Sequence, residues 1–367
     1  MAFKKIAVLG LGNVGALAAT LLHEAKFEVT GIDSRQLRNK FPFEIKDADV
    51  SNVAELPIIL EPFDAVLSCL PFYLNIDIAK AAHKLGIHYF DLTEDVGTTQ
   101  AILGMSETAT AVMAPQCGLA PGFVGIVGAH LADKFDKVRT IRLRVGALPQ
   151  HPTGLLGYAF NWSPDGVVNE YLNDCEVIEE GVRKWVSPME WVETVFIDGK
   201  KLEAFTTSGG LGTMCETYAG KIDNLDYKTM RYPGHVKLMN FFFHELLMRE
   251  NREQAGKILT HAKPRVDDDV VYVHTSAEGE IQGRLERKEY VRSYYPVEIN
   301  GRVWTAIAWT TAASVCAVIE MVRDGSLPAK GFLKQENIPL EPFLATTTGS
   351  LYERAAKESR NRRFTNL

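Results

Sequence analysis

The sequence has few of the features that mark a secreted, membrane-spanning or nucleic-acid-binding protein. Its 367 residues include only five cysteines, far apart and none in a C-x-x-C pair, which indicates neither a disulfide framework nor a structural zinc site. No apolar run approaches the length of a membrane span. Lys plus Arg number 40 against 46 Asp plus Glu, so the net charge of -6 makes the chain a poor candidate for general nucleic-acid binding.

The N-terminal residues also lack the form of a secretory signal. They carry two lysines and an apolar run, but three glycines interrupt that run and no small-residue cleavage site follows. The nine histidines show no H-x-x-x-H or H-E-x-x-H spacing, so we predict no metal site. These absences predict a cytoplasmic protein in a reducing compartment, without nucleic-acid or membrane partners.

Alternating strand-like and helix-like segments fill residues 1–125. Buried strands are predicted at KKIAVLG, FEVTGID, DAVLSCL and IHYFDL, with helices at 14–25 and 75–86 between them. Strands that alternate with helices predict an α/β fold with a Rossmann-type doubly wound parallel sheet. This segment is predicted to be a dinucleotide-binding domain.

The pattern changes after residue 125. Extended segments and a strand pair around a glycine turn at 270–296 predict an inserted α+β domain with an antiparallel sheet over 126–303. Residues 235–250 are predicted to form one long amphipathic helix. The acidic run Asp267, Asp268 and Asp269 is predicted to form a solvated turn. Residues 304–345 are predicted to contain a C-terminal helix that returns to the first domain, and residues 346–367 are predicted to form a frayed tail.

The strongest motif is Gly10-Leu11-Gly12-Asn13-Val14-Gly15, which directly follows a predicted strand and opens a predicted helix. Gly10 would permit the tight turn, and Gly12 would let the backbone approach a pyrophosphate closely. Gly15 would let the helix pack against the strand. The N–H groups of the helix start, including those of Asn13 and Val14, would bind the phosphate charge. The motif therefore predicts a dinucleotide site.

Asp33 lies at the end of the second strand, where a carboxylate bonds the adenosine ribose hydroxyls of NAD. Its charge would repel the 2'-phosphate of NADP, which favours NAD. Ser34, Arg35 and Arg38 follow, however, and a guanidinium there would bind that phosphate. We predict NAD as the cofactor, with NADP as the alternative.

Further cofactor contacts are expected at the carboxyl ends of the strands, where ligands of such sheets bind. These residues end the fourth strand or form the loop near the start of the second domain: Cys69, Leu70 and Pro71, and Gly118, Leu119 and Ala120. Asp91, Thr93 and Glu94 end the fifth strand and are candidate catalytic residues. Asp91 has an alternative role as a cap for the segment that follows.

Several motifs together give a family resemblance. GLGNVG, QCGLAPGF at 116–123, GYAFNWSPDG within 146–171, TSGGLGT at 207–213 and YKTMRYPGH at 227–235 occur in order along one chain. The chain resembles the saccharopine dehydrogenase (reductase-type) superfamily over roughly residues 4–345. Within it, the length and the form YKTMRYPGH most resemble the lysine 6-dehydrogenase branch.

The resemblance implies a Rossmann domain, an inserted α/β domain, and a C-terminal helix that returns to the first. It also implies NAD-dependent oxidative deamination of the ε-amino group of L-lysine, as part of lysine degradation. The product would be a semialdehyde that cyclises to piperideine-6-carboxylate. The partner implied is thus a small amino-acid substrate.

Lysine would need a cationic anchor for its α-carboxylate, an acidic partner for its α-ammonium, and a base for the ε-amine. Arg231 is the candidate anchor, since a guanidinium binds a carboxylate in a bidentate way. His235 is a candidate base or a structural histidine at a helix start. The remaining candidate substrate-binding residues are Tyr158, Trp162, Ser163, Asp165 and Tyr232. Asp165 also fits an ordinary turn.

Two alternatives stay open. A saccharopine dehydrogenase, or a related carboxynorspermidine-type reductase, would act on a secondary amine and need a second cationic cluster, for which Arg142, Arg144 and Arg183 are available. A non-catalytic dinucleotide-binding module would need no polar groups beyond the cofactor site. We also predict a homodimer or higher oligomer formed through the strand segment at 270–291.

Overall fold

The computed structural model describes residues 3–37 and 40–356, so Arg38 and the residues from 357 onward lie outside it. The chain forms two compact units. The first comprises the residues up to Ile126 together with Ala308–Arg354, and the second comprises Val127–Ile307. The first unit is thus built from two separate stretches of the chain.

The first unit contains a seven-stranded sheet in which every strand pair is parallel. The strands are β1 (Lys5–Leu9), β2 (Glu28–Asp33), β3 (Glu44–Asp47), β4 (Ala65–Ser68), β5 (His88–Asp91), β6 (Val112–Ala114) and β17 (Gly331–Phe332). Their order across the sheet is β17-β6-β5-β4-β1-β2-β3. From β1, the strands β2 and β3 follow on one side, and β4, β5 and β6 follow on the other. The crevice between β1 and β4, where the strand order reverses, is where such sheets bind ligands. The predicted Rossmann fold is confirmed.

Helices connect these strands, as a parallel sheet requires. They are α1 (Asn13–Glu24), α2 (Leu56–Leu60), α3 (Phe72–Leu85), α4 (Val96–Ser106) and, after β6, α5 (Phe123–Ala132). Gly86 ends α3 with a φ of 69°, as a C-terminal glycine cap predicts. The sequence analysis missed α4, whose glycines and threonines obscure its helical pattern, and the short exposed strand β3.

The C-terminal stretch completes the first unit. Helix α10 (Ala306–Arg323) places the Sγ of Cys316 3.5 Å from the carbonyl of Ala18, and Nη1 of Arg323 2.6 Å from the carbonyl of Ala25. By length and composition α10 is the one helix in the described chain that would reach across a membrane. Buried core helices share those properties, and 83% of its apolar window is buried. A short helix, α11 (Leu340–Ala345), follows β17.

The second unit contains an eight-stranded mixed sheet with the central order β10-β11-β12-β7-β13-β14, while β8 pairs with β12 and β9. β7 and β12 are parallel and the other pairs are antiparallel. Its strands are β7 (Lys137–Pro149), β8 (Cys175–Glu179), β9 (Val182–Val186), β10 (Glu193–Ile197), β11 (Lys200–Thr206), β12 (Asn224–Arg231), β13 (Asp269–Ile281) and β14 (Arg284–Tyr294). The predicted second, largely antiparallel domain is confirmed.

The predicted strand pair at 270–296 is β13 and β14. Gln282 and Gly283 join them with φ angles of 50° and 74°, the geometry of a tight two-residue hairpin turn. β14 lies at the edge of the sheet. A small separate hairpin follows, formed by β15 (Val297–Ile299) and β16 (Arg302–Trp304).

The helices of this unit are α6 (Pro164–Leu172), α7 (Met214–Tyr218), α8 (His235–Asn240) and α9 (Arg252–Ala262). The prediction of one long helix over 235–250 is wrong. α8 continues into one turn of π-helix at Phe241–Glu245. Leu247, with a φ of 56°, then ends the helix before a short 3-10 turn at Met248–Glu250. A non-glycine residue with positive φ cannot continue a right-handed helix.

The prediction of a solvated turn at Asp267, Asp268 and Asp269 is wrong at its last residue. Asp269 is fully buried, and its carboxylate accepts hydrogen bonds from the N–H groups of Ala306 and Ile307. It therefore caps the start of α10, where the first backbone N–H groups of a helix have no acceptor within the helix itself. Burial raises its pKa to about 6.

Candidate active site

The glycine loop between β1 and α1 has the geometry of a dinucleotide cradle. Gly10 has a φ of 84° and its N–H donates to the carbonyl of Ile32 at 2.8 Å. A Cβ on Gly15 would lie 1.8 Å from the carbonyl oxygen of Gly10, so only glycine allows α1 to approach the strand so closely. A Cβ on Gly12, in contrast, would meet no described atom within 4 Å.

The start of α1 can bind an anion. Gly12 is the N-terminal flanking residue of α1 and no side chain caps it. The N–H groups of the first turn, those of Asn13, Val14 and Gly15, therefore lack partners within the helix and point outward. The open side of Gly12 and these N–H groups fit a pyrophosphate, so the loop would hold the phosphates of a dinucleotide.

Asp33 ends β2 beside this loop, as predicted. Its carboxylate accepts a hydrogen bond from the N–H of Leu11 at 2.7 Å, which ties the end of β2 to the glycine loop. It also forms a two-pronged ion pair with Arg35, whose Nε and Nη2 lie 2.9 and 2.8 Å from its oxygens. The hydrogen bonds from Arg35 lower the pKa of Asp33 to about 2. Ser34, between the two, is exposed.

The end of β4 packs directly against the glycine loop. A Cβ on Gly10 would lie 2.8 Å from Cδ2 of Leu70 and 3.1 Å from the carbonyl oxygen of Cys69, and Pro71 follows as the flanking residue of α3. Burial, with the charge of Asp91, raises the pKa of the Cys69 thiol to about 12. Cys69 is therefore a neutral thiol at physiological pH, and of the three predicted residues Cys69 and Leu70 border the loop.

Asp91 ends β5 and is fully buried. Its Oδ2 accepts from the hydroxyl of Tyr89 at 2.7 Å, and its Oδ1 accepts from the N–H groups of Thr93 and Gln116 at 2.9 and 3.0 Å. Burial raises its pKa to about 6, and the three donors oppose that shift. This carboxylate fixes the turns after β5 and β6, which matches the capping alternative.

Glu94 differs from Asp91 because none of the described side chains bonds its carboxylate. It is half-buried three residues beyond β5, and burial, together with the charges of Asp95 and Asp91, raises its pKa to about 7. A carboxyl group with this pKa exchanges protons near neutral pH, as a general acid or base must. Thr93, beside it, is buried and its hydroxyl accepts from the N–H of Asp95 at 3.1 Å.

The loop after β6 forms a compact turn at the same edge of the sheet. The N–H of Phe123 donates to the carbonyl of Gly118 at 2.9 Å, and that of Val124 to the carbonyl of Leu119 at 3.1 Å. The peptide bond from Ala120 to Pro121 is cis. A Cβ on Gly118 would lie 3.9 Å from the carbonyl oxygen of Leu92, which places this predicted loop beside the end of β5.

In the second unit, Arg231 ends β12 and is buried. Its Nε donates to the hydroxyl of Tyr171 at 2.9 Å, and its Nη1 to the carbonyl of Met230 at 3.0 Å and to the hydroxyl of Thr229. The guanidinium carbon lies 4.6 Å from the centre of the Tyr158 ring, a cation–π distance.

Arg231 has no carboxylate partner within ion-pair distance in the described chain. Three Lys and Arg side chains are buried in the described chain, and the other two, Arg144 and Lys228, share Glu193 and Asp226 as ion-pair partners. The charge of Glu170, on α6, acts on Arg231 from a greater distance. A buried cation without a paired anion is costly, and an anionic ligand would offset that cost.

His235 belongs to the same cluster. Its Nδ1 lies 3.0 Å from the carbonyl of Leu156, and its Nε2 lies 3.0 Å from the hydroxyl of Tyr171. Burial and the charge of Arg231 lower its pKa to about 3, so the ring is neutral. Nδ1 then carries the proton and donates to the carbonyl, while Nε2 accepts from Tyr171. Both nitrogens are engaged, which supports a structural role over that of a base.

The other predicted substrate residues are more dispersed. The hydroxyl of Ser163 caps α6 by accepting from the N–H of Gly166 at 3.1 Å. Asp165 is exposed in the first turn of α6, and a Cβ on Gly256 of α9 would lie 3.5 Å from its Oδ1. Trp162 packs against the hydrophobic core that contains Tyr158, and the hydroxyl of Tyr232 donates to the carbonyl of Pro149 at 2.8 Å.

The glycine cluster of TSGGLGT has a packing role. A Cβ on Gly210 would lie 2.3 Å from the ring of Tyr227, so the missing side chain makes room for that buried tyrosine. Sequence reasoning missed Tyr171 and Thr229, the two side chains that bond Arg231. Tyr171 closes the GYAFNWSPDGVVNEY motif, and its place in that motif was the available signal.

The fold and the glycine loop of the first unit define a Rossmann-type dinucleotide-binding protein. Family models agree: one described as "Saccharopine dehydrogenase NADP binding domain" matches residues 6–115, and one described as "Saccharopine dehydrogenase C-terminal domain" matches 118–351. The chain belongs to the saccharopine dehydrogenase family of NAD(P)-dependent oxidoreductases. The expected family resemblance is thus confirmed.

Individual relatives are more distant. The chain is 26% identical over 280 residues to alpha-aminoadipic semialdehyde synthase, mitochondrial, from Mus musculus, covering 71% of this chain and 30% of the relative. The chain thus spans under a third of that protein. Saccharopine dehydrogenase (L-Glu forming) from Saccharomyces cerevisiae has the same fold, with a TM-score of 0.72, 17% identity and coverage of 93% and 96%. DAP dehydrogenase from C. glutamicum follows, with a TM-score of 0.50, 14% identity and coverage of 96% and 99%.

Proposed function

We propose that this protein is an NAD(P)-dependent lysine 6-dehydrogenase, which oxidises the ε-amine of L-lysine. The single observation that carries the proposal is Arg231, a buried guanidinium with no carboxylate partner in the described chain. An amino acid supplies the missing anion through its α-carboxylate. Nε and both N–H groups of Nη1 of Arg231 are engaged within the described chain, so Nη2 and the positive charge remain to bind that carboxylate.

Lysine is favoured over a substrate with further acidic groups. Saccharopine would require additional cations, and the three predicted for it are all in ion pairs: Arg142 with Glu278, Arg144 with Glu193 and Asp226, and Arg183 with Glu176. Recruiting any of them would break an existing ion pair. One unpaired buried guanidinium suits a substrate with one carboxylate.

The reaction also needs a base. The ε-amine of free lysine has a pKa near 10.4, and only its neutral form releases hydride from Cε. Glu94, with a pKa raised to about 7, is the proposed acceptor of the ammonium proton. When bound, the nicotinamide accepts the hydride. Water then adds to the substrate imine, ammonia leaves, and the semialdehyde cyclises.

The remaining residues have supporting roles in this proposal. Asp91 holds the turns after β5 and β6 in place, next to Glu94. Tyr158 shields the guanidinium of Arg231 through its ring, and Tyr171 fixes the direction of its Nε. His235 acts on Tyr171 as a positioning residue. A base role for His235 would require breaking two hydrogen bonds.

The test is a screen of purified protein with lysine, ornithine, cadaverine and saccharopine, each with NAD and NADP, following absorbance of the reduced cofactor. Lysine should be turned over, and cadaverine, which lacks the carboxylate, should be poor. Ornithine, one methylene shorter, should also be slow. Equal turnover of cadaverine would remove the anchor role of Arg231, and turnover of saccharopine alone would make this a saccharopine dehydrogenase.

A further inference from the structure

Glu170 is a buried acidic residue on α6, beside the cluster that surrounds Arg231. It is 5% exposed and directly precedes Tyr171, whose hydroxyl accepts a hydrogen bond from Nε of Arg231. The backbone carbonyl of Glu170 accepts from the N–H of Ser208 at 3.1 Å, which ties this turn of α6 to the segment just after β11. Glu170 is therefore held at a fixed place inside the second unit.

The charges of Glu170 and Arg231 act on the same three buried tyrosines. The guanidinium carbon of Arg231 lies 4.6 Å from the ring centre of Tyr158 and 5.8 Å from that of Tyr171. Burial raises the pKa of the hydroxyls of Tyr158, Tyr171 and Tyr227, the charge of Arg231 lowers it, and the charge of Glu170 raises it. Two buried charges of opposite sign thus border one group of aromatic rings.

These two charges do not touch each other. Within the described chain Arg231 has no carboxylate at ion-pair distance, and its Nη2 makes no hydrogen bond. The other two buried acids among the described residues of the second unit are engaged elsewhere: Asp226 pairs with Arg144, and Asp269 caps α10. Opposite charges that are held apart in a protein interior suit a ligand that carries both signs, because each protein charge then gains a partner.

An α-amino acid has this arrangement of charges. Its ammonium and carboxylate groups are attached to one carbon, so both must bind at the same place, while the ε-amine of lysine lies at the far end of the side chain. We propose that Glu170 binds the α-ammonium of the substrate and thereby makes the site select α-amino acids over acids that lack the α-amino group. The inference rests on the proposed function for the position of the α-carboxylate on Arg231.

Glu170 takes the role for which the sequence analysis considered Asp165. Glu170 lies five residues after Asp165 on α6, so at about 100° per residue the two side chains leave the helix about 140° apart. Asp165 lies on the exposed side. An ion pair with an exposed carboxylate contributes little, because water and salt screen it, whereas a buried carboxylate attracts an ammonium group strongly.

The test measures binding by calorimetry with the reduced cofactor present, so that no amine is oxidised. It compares two pairs of ligands, L-lysine with 6-aminohexanoate and L-norleucine with hexanoate, in which the second member lacks the α-amino group. The wild-type protein should bind the first member of each pair about tenfold to a hundredfold more tightly, the value of a hydrogen-bonded contact between charged groups. L-norleucine has no ε-amine, so the second pair does not depend on lysine being the substrate.

Glu170→Gln keeps the size of the side chain and removes its charge. It should bind lysine and norleucine about as weakly as their partners without the α-amino group, and should leave the affinity for those partners unchanged. Asp174→Asn is the matched control, since Asp174 is an exposed acid just after α6, and it should keep both preferences. Thermal unfolding shows whether each variant is folded. If Glu170→Gln does not fold, Glu170→Asp replaces it, and its shorter carboxylate should reduce both preferences.

An equal loss of affinity for both members of each pair in Glu170→Gln would make Glu170 a structural counter-charge to Arg231 and would overturn the inference. A wild-type protein without either preference, or an undiminished preference in Glu170→Asp, would overturn it as well. If the preference for norleucine depends on Glu170 while lysine is not oxidised, the proposed function fails and the inference stands.

Discussion

Tyr171 accepts a hydrogen bond from Nε of Arg231 at 2.9 Å, although 60 residues separate them in sequence. The same hydroxyl donates to the neutral His235, so its single proton is committed and its lone pair is directed at the guanidinium. The orientation of Arg231 is therefore set by a directional chain of three side chains and one backbone carbonyl.

The first prediction follows from this chain. Tyr171→Phe leaves the buried Nε of Arg231 without a partner and removes the constraint on its direction. We expect kcat/KM for lysine to fall by about tenfold to a hundredfold, with most of the change in KM, since the interaction positions the substrate carboxylate. Tyr232→Phe is the control: it loses a similar hydroxyl that bonds the carbonyl of Pro149, and should change KM little.

The second prediction concerns Arg231 itself. Arg231→Lys keeps the charge but loses the planar guanidinium that Tyr171 and Thr229 orient, and we expect a loss of about 1–3 kcal/mol in transition-state stabilisation, expressed mainly in KM. Steady-state kinetics with lysine and cadaverine measure it. The variant should reduce the ratio of kcat/KM for lysine to kcat/KM for cadaverine. An undiminished preference for lysine would place the carboxylate anchor elsewhere.

The third prediction is a pH profile. Burial raises the pKa of Glu94 to about 7, so below pH 7 its carboxyl is protonated and cannot accept the ammonium proton. In the direction of lysine oxidation, kcat/KM should rise through about pH 7. Glu94→Gln should remove this limb and leave a slow reaction that rises only towards the pKa of the amine. An unchanged profile in Glu94→Gln would assign the limb to another group.

The fourth prediction separates cofactor binding from folding at two glycines of one loop. A side chain on Gly12 meets nothing in the described chain, and its φ of -70° suits any residue. Gly12→Val should therefore keep the melting temperature and abolish detectable cofactor binding. Gly15→Val places a Cβ 1.8 Å from a backbone oxygen and should unfold the unit. Cofactor titrations and thermal melts of both variants distinguish the two effects.

The fifth prediction is assembly. We still expect a homodimer or larger through the second unit, whose strand β14 lies at a sheet edge. Light scattering at micromolar concentration should therefore give at least twice the mass of one chain, and a species of 40.8 kDa alone would contradict it.

The sequence analysis located elements correctly where they depend on residues close together in the chain. The glycine loop, Asp33 at the end of β2 and the segments directly after β4 and β5 follow from short motifs, and parallel topology brings strand ends to one edge. α4 was missed because its composition carries little helical signal. The helix over 235–250 was overextended because amphipathic periodicity does not show where Leu247 leaves the helical region.

Contacts between distant segments could not be predicted in the same way. Asp269 lies 37 residues before the helix it caps, and within its acidic run nothing distinguishes it from Asp267 or Asp268. The partners of Arg231 come from α6 and β12, and their meeting depends on the packing of that helix on the sheet. The sequence analysis set Arg35, which would favour NADP, against Asp33, which would favour NAD. The structure shows that the two side chains form an ion pair with each other.

The first unit takes its sheet from both stretches of the chain, since β17 pairs with β6 across more than 200 residues of intervening sequence. During synthesis β1 to β6 emerge from the ribosome well before β17 and α10, and at about 5–20 residues per second the delay lasts for many seconds. Over that time the outer edge of β6 lacks its neighbour and the surface for α10 stays uncovered. The nascent chain is thus exposed to misassociation until α10 and β17 have emerged from the ribosome.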